Sequence, residues 1–141
     1  MNMRFLFLLM IVVLAFSAGC RTGRVSDMTT PAGSSAVAID KELFTVQDMR
    51  EAIVKGCAER NWRVVEKDAN TIEATNVVRN KHTVVVSIPY TETSYTINYK
   101  DSTNMNYRPK SDGTFSIHPN YNNWVNNLDQ SIQKQISLKK K

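Results

Sequence analysis

The feature that constrains this 141-residue chain most is an apolar run near its amino end, over residues 5–16. Arg4 stands in front of the run, and small residues at positions 17–19 lead from it to Cys20. A short apolar run with a charge before it and small residues after it is typical of a secretory signal, and it is too short for a membrane-spanning helix. We therefore expect residues 1–19 to be a signal peptide that takes no part in the folded domain.

The end of this segment resembles the lipobox of bacterial lipoproteins. Ala18 and Gly19 are the small residues that the family's processing enzyme accepts before a cysteine, whereas Ser17 departs from the leucine that the family favours. The resemblance implies cleavage between Gly19 and Cys20, acylation of the Cys20 thiol and acylation of the new amino end. Two or more acyl chains hold a protein firmly on a bilayer, whereas one chain binds only marginally. The alternative is an ordinary secretory signal in which the cysteine is incidental.

The residue after the cysteine gives an expectation about location. In enteric-type sorting an aspartate at that place retains a lipoprotein in the inner membrane, and this chain has Arg21 there. For a Gram-negative source, the resemblance therefore implies residence in the outer membrane, on its periplasmic side. The expected contact with the membrane is made through the lipid anchor.

Composition predicts a mildly basic protein. The chain carries 18 Lys and Arg against 13 Asp and Glu, and loss of residues 1–19 removes only Arg4 from this count. Such a balance permits weak attraction to anionic surfaces and indicates nothing stronger. No nucleic-acid-binding motif is present, so no nucleic-acid partner is expected.

Residues 20–42 are predicted to form a flexible tether behind the lipidated cysteine. The segment contains Pro31, Gly33 and Ser34 and few large apolar side chains, so it cannot bury enough surface to fold alone. We expect it to let the domain stand away from the bilayer. Residues 43–141 then form one periplasmic domain of about one hundred residues, enough for a single core.

Two amphipathic helices are predicted at the ends of this domain. The first, over residues 45–61, begins with a capping-box pattern made by Thr45 and Asp48. The second is capped by Asn120 or His118. Each helix has one apolar stripe at helical spacing, so each needs another element on which to dock that stripe.

Four strands are predicted between the helices, over residues 62–67, 71–78, 82–90 and 94–101. Short turn segments join them, which favours antiparallel neighbours in a four-stranded meander. The fold class is therefore α+β with the order α-β-β-β-β-α, and both helices are expected to pack on one face of the sheet.

Alternation in the last two strands predicts which side of the sheet is open. Apolar side chains share one face, and the other face carries Thr83, Ser87, Thr96, Asn98 and Lys100. This open face is the largest surface that the arrangement leaves uncovered, so it is a natural place for a partner. A solvated sheet face is equally ordinary in antiparallel proteins.

Cys57 is the one nucleophile with candidate partners, because His82 and His118 follow it along the chain. This order superficially resembles exported cell-wall cysteine peptidases, whose cysteine opens a helix where the dipole favours the thiolate. Here Cys57 is predicted late in a helix and on its apolar stripe, where a thiol behaves as a small hydrophobe. If Cys20 is acylated, Cys57 also has no disulfide partner in the chain. The two histidines lack metal-ligand spacing, so no metal site or other cofactor is expected.

Two further stretches resemble small proteobacterial lipoproteins of unassigned function. One lies between Tyr95 and Tyr107, and the other reads Ile117-His118-x-Asn120-Tyr121-Asn122-x-Trp124-Val125. The resemblance covers most of the domain and implies no active site. It favours a non-catalytic envelope lipoprotein with a binding or structural role, whose partner is an envelope protein or peptidoglycan. The alternative is a small cell-wall peptidase that uses Cys57 with His82 or His118.

Overall fold

A computed structural model describes residues 26–28 and 44–139 of the chain. The predicted signal peptide, the cleavage site at Gly19 and Cys20, and most of the predicted tether lie outside the described residues. The described part is an α+β fold with two helices and two antiparallel sheets.

The elements follow one another as β1 (Ser26–Asp27), α1 (Val46–Glu59), β2 (Arg63–Asp68), β3 (Thr71–Val78), β4 (His82–Pro89), β5 (Asn98–Thr103), β6 (Arg108–Pro109), β7 (Phe115–Ile117) and α2 (Asn120–Lys139). The larger sheet has the order β2-β3-β4-β5, and the smaller one has the order β1-β7-β6.

The start of α1 confirms the predicted capping box. The Asp48 backbone N–H donates to Thr45 Oγ1 at 3.2 Å, and the Thr45 N–H donates to Asp48 Oδ2 at 2.9 Å. The helix ends at Glu59, shortly before Asn61 takes a left-handed φ of 59°. Its apolar stripe is buried along its whole length and consists of Met49, Ala52, Ile53, Gly56 and Cys57.

The larger sheet buries one face and leaves the other open. Ile72 pairs with Ile88 and Ala74 with Val86, and all four side chains are fully buried. Val64 lies opposite Ala74 on this buried side, so Val65 points to the open side, where 51% of it is exposed. This register decides the facing of β2, which alternation within the strand alone did not fix.

The two helices lie antiparallel and share the core with the buried face of this sheet. Lys139, at the end of α2, donates to Asp48 and Glu51 at the start of α1, each at 2.8 Å. At the other end of the pair, Arg60 Nε donates to the buried Ser131 Oγ at 2.6 Å. The buried residues of α2 are Tyr121, Val125, Leu128, Ser131, Ile132 and Ile136.

The smaller sheet corrects the prediction of a single meander. β7 pairs antiparallel with β1 on one side, through Ser26 and Ile117, and with β6 on the other. A two-residue strand has no alternating pattern, and the partner of β1 lies far along the chain, so the order α-β-β-β-β-α omitted this sheet. β1 falls within residues 20–42, so this part of the predicted tether is paired in the domain rather than free.

Candidate functional site

Cys57 is sealed inside the core. Its side chain has no exposed surface, and burial raises the pKa of its thiol to about 12. Its backbone carbonyl accepts the N–H groups of Arg60 and Trp62, which fixes the end of α1. The thiol is therefore held in its protonated form, which is a poor nucleophile.

The two histidines lie beside each other, with ring centroids 5.6 Å apart. His82 donates from Nδ1 to the Asn104 carbonyl at 2.9 Å. His118 Nδ1 accepts the Asn120 N–H at 3.2 Å, so His118 caps α2, as one of the two predicted candidates. Each Nδ1 thus serves a local backbone contact, and neither contact involves Cys57. This arrangement gives no support to a Cys–His pair, and the peptidase alternative stays a prediction.

Metal-ligating side chains do not gather in the described part of the chain. Within residues 26–28 and 44–139, no group of three His, Cys, Asp or Glu side chains is placed to hold an ion. Every buried side-chain nitrogen and oxygen there also has a hydrogen-bond partner.

A small hollow lies where the turn before β3 meets the loop after β4. Its volume is about 280 Å³, just below the range of typical ligand pockets. Tyr90 and Tyr95 line it, but each hydroxyl donates a hydrogen bond to a residue outside the lining. Tyr90 donates to the Ala69 carbonyl at 3.0 Å, and Tyr95 donates to Asp129 Oδ1 at 2.6 Å. Neither tyrosine hydroxyl is therefore directed to a ligand in the hollow, and Thr91 and Ser94 of its lining bond to each other.

The open face of the larger sheet is the broadest candidate surface. The strand register forms rows across it, with Val65, Glu73, Ser87 and Asn98 in one row and Arg63, Thr75, Val85 and Asp101 in the next. A third row contains Val77, Thr83 and Thr103. Lys100 donates to Glu73 on this face, and this hydrogen bond lowers the pKa of the Glu73 carboxyl.

The structure places the five predicted open-face residues away from the core. Asn98 and Lys100 are exposed, and Thr83, Ser87 and Thr96 are half-buried. The sequence interpretation missed the apolar part of this face: Val77 is 47% exposed, and Val85 is half-buried at the centre. The signal was available, because the period of two that places Thr83 and Ser87 on this face also places Val85 there.

A separate group of aromatic rings joins the two sheets. Tyr99 stacks on Tyr107 with centroids 4.3 Å apart, and Tyr107 stacks on Phe115 at 5.3 Å. Tyr121 meets the edge of Tyr99 from the core at 5.8 Å. The stack therefore runs from the core to the surface and ends in Phe115, which is 37% exposed.

Comparison of the chain with protein-family models, curated proteins and solved structures found no match. Neither of the two helices in the described residues combines the length and the apolar character needed to cross a bilayer.

Proposed function

We propose that this protein is a non-catalytic lipoprotein of the bacterial cell envelope. Acylated Cys20 anchors it to the periplasmic side of the outer membrane, and the open face of its larger sheet binds another envelope protein. The lipobox resemblance supports the anchor. The geometry of the sheet supports the binding surface.

The observation that carries the binding role is the apolar character of the open face. Val65 and Val77 are about half exposed, and Val85 lies between them in the register. The three valines lie in successive rows of this face and on three different strands, each paired with polar residues, and Lys100 bonds to Glu73 beside Val65. Apolar side chains surrounded by polar ones are typical of protein–protein contact surfaces.

This composition favours a protein over peptidoglycan as the partner. Sugar-binding surfaces commonly present aromatic rings, and no aromatic residue lies on the open face among the described strands. Tyr90, Tyr95 and Tyr99 belong to the buried side of the same sheet or pack against it. A surface of valine and threonine side chains is suited to contact with the surface of another folded protein.

The anchor is tested by mass spectrometry of the mature protein from native membranes. We expect a chain that begins at Cys20 and carries the added mass of acyl groups. An unmodified amino end, or cleavage at another position, would contradict the anchor.

The binding face is tested by a photoreactive amino acid placed at Val77 in the membrane-bound protein. Val46 on α1 is a matched control, because it is a valine with 42% exposure on a helix, against 47% for Val77. We expect a discrete crosslinked protein from Val77 and none from Val46. Equal crosslinking from both positions, or no crosslink from Val77, would contradict the assignment of this face.

A further inference from the structure

The strand β1 is fastened to the domain by several kinds of contact. The Met28 N–H donates to the Phe115 carbonyl at 2.9 Å, extending the pairing of β1 with β7. The Lys110 ammonium donates to Asp27 Oδ1 at 2.8 Å, and Asn122 of α2 donates to the Asp27 carbonyl at 2.8 Å. The Met28 side chain packs against the core. Backbone pairing, an ion pair and apolar contact thus hold the same three residues.

The pairing of β1 with β7 shortens the free segment between Cys20 and the domain, and so limits the distance between the domain and the bilayer. Five residues, 21–25, separate Cys20 from Ser26, and even a fully extended chain covers only about 22 Å between those two residues. If β1 were not docked, the free segment would reach to Phe44 and could span about 80 Å. A domain of this size is about 35 Å across. With β1 paired, only residues 21–25 remain to set how far the domain lies from the bilayer.

From this geometry we propose that the smaller sheet, β1-β7-β6, is the surface that faces the lipid bilayer. The inference rests on the proposed acylation of Cys20. The segment of residues 21–25 can span only about 22 Å, which is less than the width of the domain. Orientations in which β1 lies on the side of the domain away from the bilayer are therefore excluded. The partner of this surface is the lipid headgroup layer in which the anchor sits.

The side chains of the smaller sheet suit such a layer. Phe115 is 37% exposed at the end of the aromatic stack, and aromatic side chains are favoured at the level of the headgroups. Arg108 pairs with Ser116, so it projects from the side of this sheet opposite to Phe115, and it is exposed. Arg21 and Arg24 lie in the short segment between Cys20 and β1. Arginine near an anionic membrane surface is attracted to it.

Acidic groups are also present on this surface. Asp27 and Asp112 lie 2.8 and 3.7 Å from the Lys110 ammonium, so one cation is shared between two carboxylates. The Asp112 carboxyl also accepts from Thr114, whose hydroxyl is 2.6 Å away. Attraction between this surface and anionic lipids is thus modest. The short segment of residues 21–25 is the main constraint on the orientation of the domain.

Depth-dependent quenching tests the orientation in the full acylated protein. Single fluorescent labels are attached at S111C, in the β6–β7 turn, and at S137C, about 22 Å along α2 from Asn122. Both serines are exposed, and Cys57 is buried, so we expect the label to react at the introduced cysteines only. In phosphatidylethanolamine–phosphatidylglycerol vesicles with a headgroup nitroxide, we expect quenching at position 111 to exceed that at 137 severalfold. Equal or reversed quenching overturns the proposal.

Two insertions of equal length test the role of β1. A flexible Gly-Ser segment of about twenty residues, with a root-mean-square reach of about 25 Å, is placed after Gly23 or after Gly33. Only the first lies between the lipid and β1. We expect it to lower quenching at position 111 by about half or more, while the second leaves quenching unchanged. Equal effects, or no effect of either insertion, overturn the proposal.

Mass spectrometry of the same samples distinguishes failure of the proposed anchor from failure of the proposed orientation. If Cys20 carries no acyl group, the anchor of the proposed function fails and this inference falls with it. If Cys20 is acylated and the two labels are quenched equally, only the orientation is overturned.

Discussion

Gly56 of α1 lies directly against Ile132 of α2. A Cβ atom built on Gly56 would be 2.8 Å from the Cα, the backbone nitrogen and the Cγ1 of Ile132. Two of those three atoms are backbone, so the helices can approach this closely only where one of them has no side chain.

Replacing this glycine should separate the helices. We expect G56A to lower the free energy of unfolding by about 1–3 kcal/mol, because the clash outweighs the gain of about 1 kcal/mol in helix propensity. Urea denaturation measures the change. K55A, at an exposed position of the same helix, should change stability by less than about 0.5 kcal/mol. Equal stability of G56A and the unaltered protein would contradict the close contact.

The buried thiol predicts a loss of stability in alkali. The pKa of Cys57 is raised to about 12, above the value of about 8.5 in an unfolded chain, so the unfolded state releases its proton first as pH rises. We expect the free energy of unfolding to fall by about 2 kcal/mol more between pH 7 and pH 10 in the unaltered protein than in C57A. C57A itself should be mildly destabilised at neutral pH. Parallel pH profiles, or rapid thiol labelling of the folded protein, would count against a sealed cysteine.

The hydrogen bond from Tyr95 to Asp129 joins the sheet to α2. The Tyr95 side chain is 1% exposed, and its hydroxyl lies 2.6 Å from Asp129 Oδ1. Burial and the carboxylate both raise the pKa of this phenol, so it remains a donor at all ordinary pH values. Y95F should cost about 1–3 kcal/mol, as expected for a bond to a charged group. A double-mutant cycle with D129N should show strong coupling, and additive effects would contradict the bond.

Acid should weaken the contact between the two helix ends. The hydrogen bond from Lys139 holds the pKa of Asp48 below its usual range, and the Thr45 contacts act in the same direction. A lowered pKa contributes stability above the unfolded value of about 3.9, and this contribution is lost as pH falls below it. We therefore expect D48N to be less stable than the unaltered protein at pH 7, with the difference shrinking towards pH 2. The contribution is small because the group is near the surface. A constant difference across this range would contradict the linkage.

The docking of β1 can be checked without a membrane. Hydrogen exchange of the Met28 amide should be slow, because that N–H donates to the Phe115 carbonyl. N122A should speed the exchange about fivefold, since it removes a bond of about 1 kcal/mol to the Asp27 carbonyl. N123A alters the exposed neighbouring asparagine and should leave the rate unchanged. Fast exchange at Met28 in the unaltered protein would show that β1 is not held.

Elements with local signals could be predicted from the sequence. The first helix follows from Thr45 and Asp48, because a capping box depends on residues three apart. The hairpin between β3 and β4 follows from its turn, where Arg79 and Asn80 take φ values of 54° and 50°. Such features need only neighbouring residues, so one sequence carries enough information.

Features that depend on distant partners could not be predicted. Val65 faces outward because Glu73 is its partner in β3, and β1 exists because β7 is available to pair with it. Met105 lies outside the predicted strands and is 1% exposed, and the His118 N–H donates to its carbonyl and holds the segment against the core. The apolar part of the open face is different for Val85, which the alternation within β4 already places there, whereas the facing of Val65 depends on its partner in β3.

The pairing of α1 with α2 also sets the order of events during synthesis. The contact between Arg60 and Ser131 spans 71 positions, and that between Asp48 and Lys139 spans 91. The residues of α2 must therefore leave the ribosome before the first helix meets its partner. Until then the nascent polypeptide keeps one side of its core uncovered.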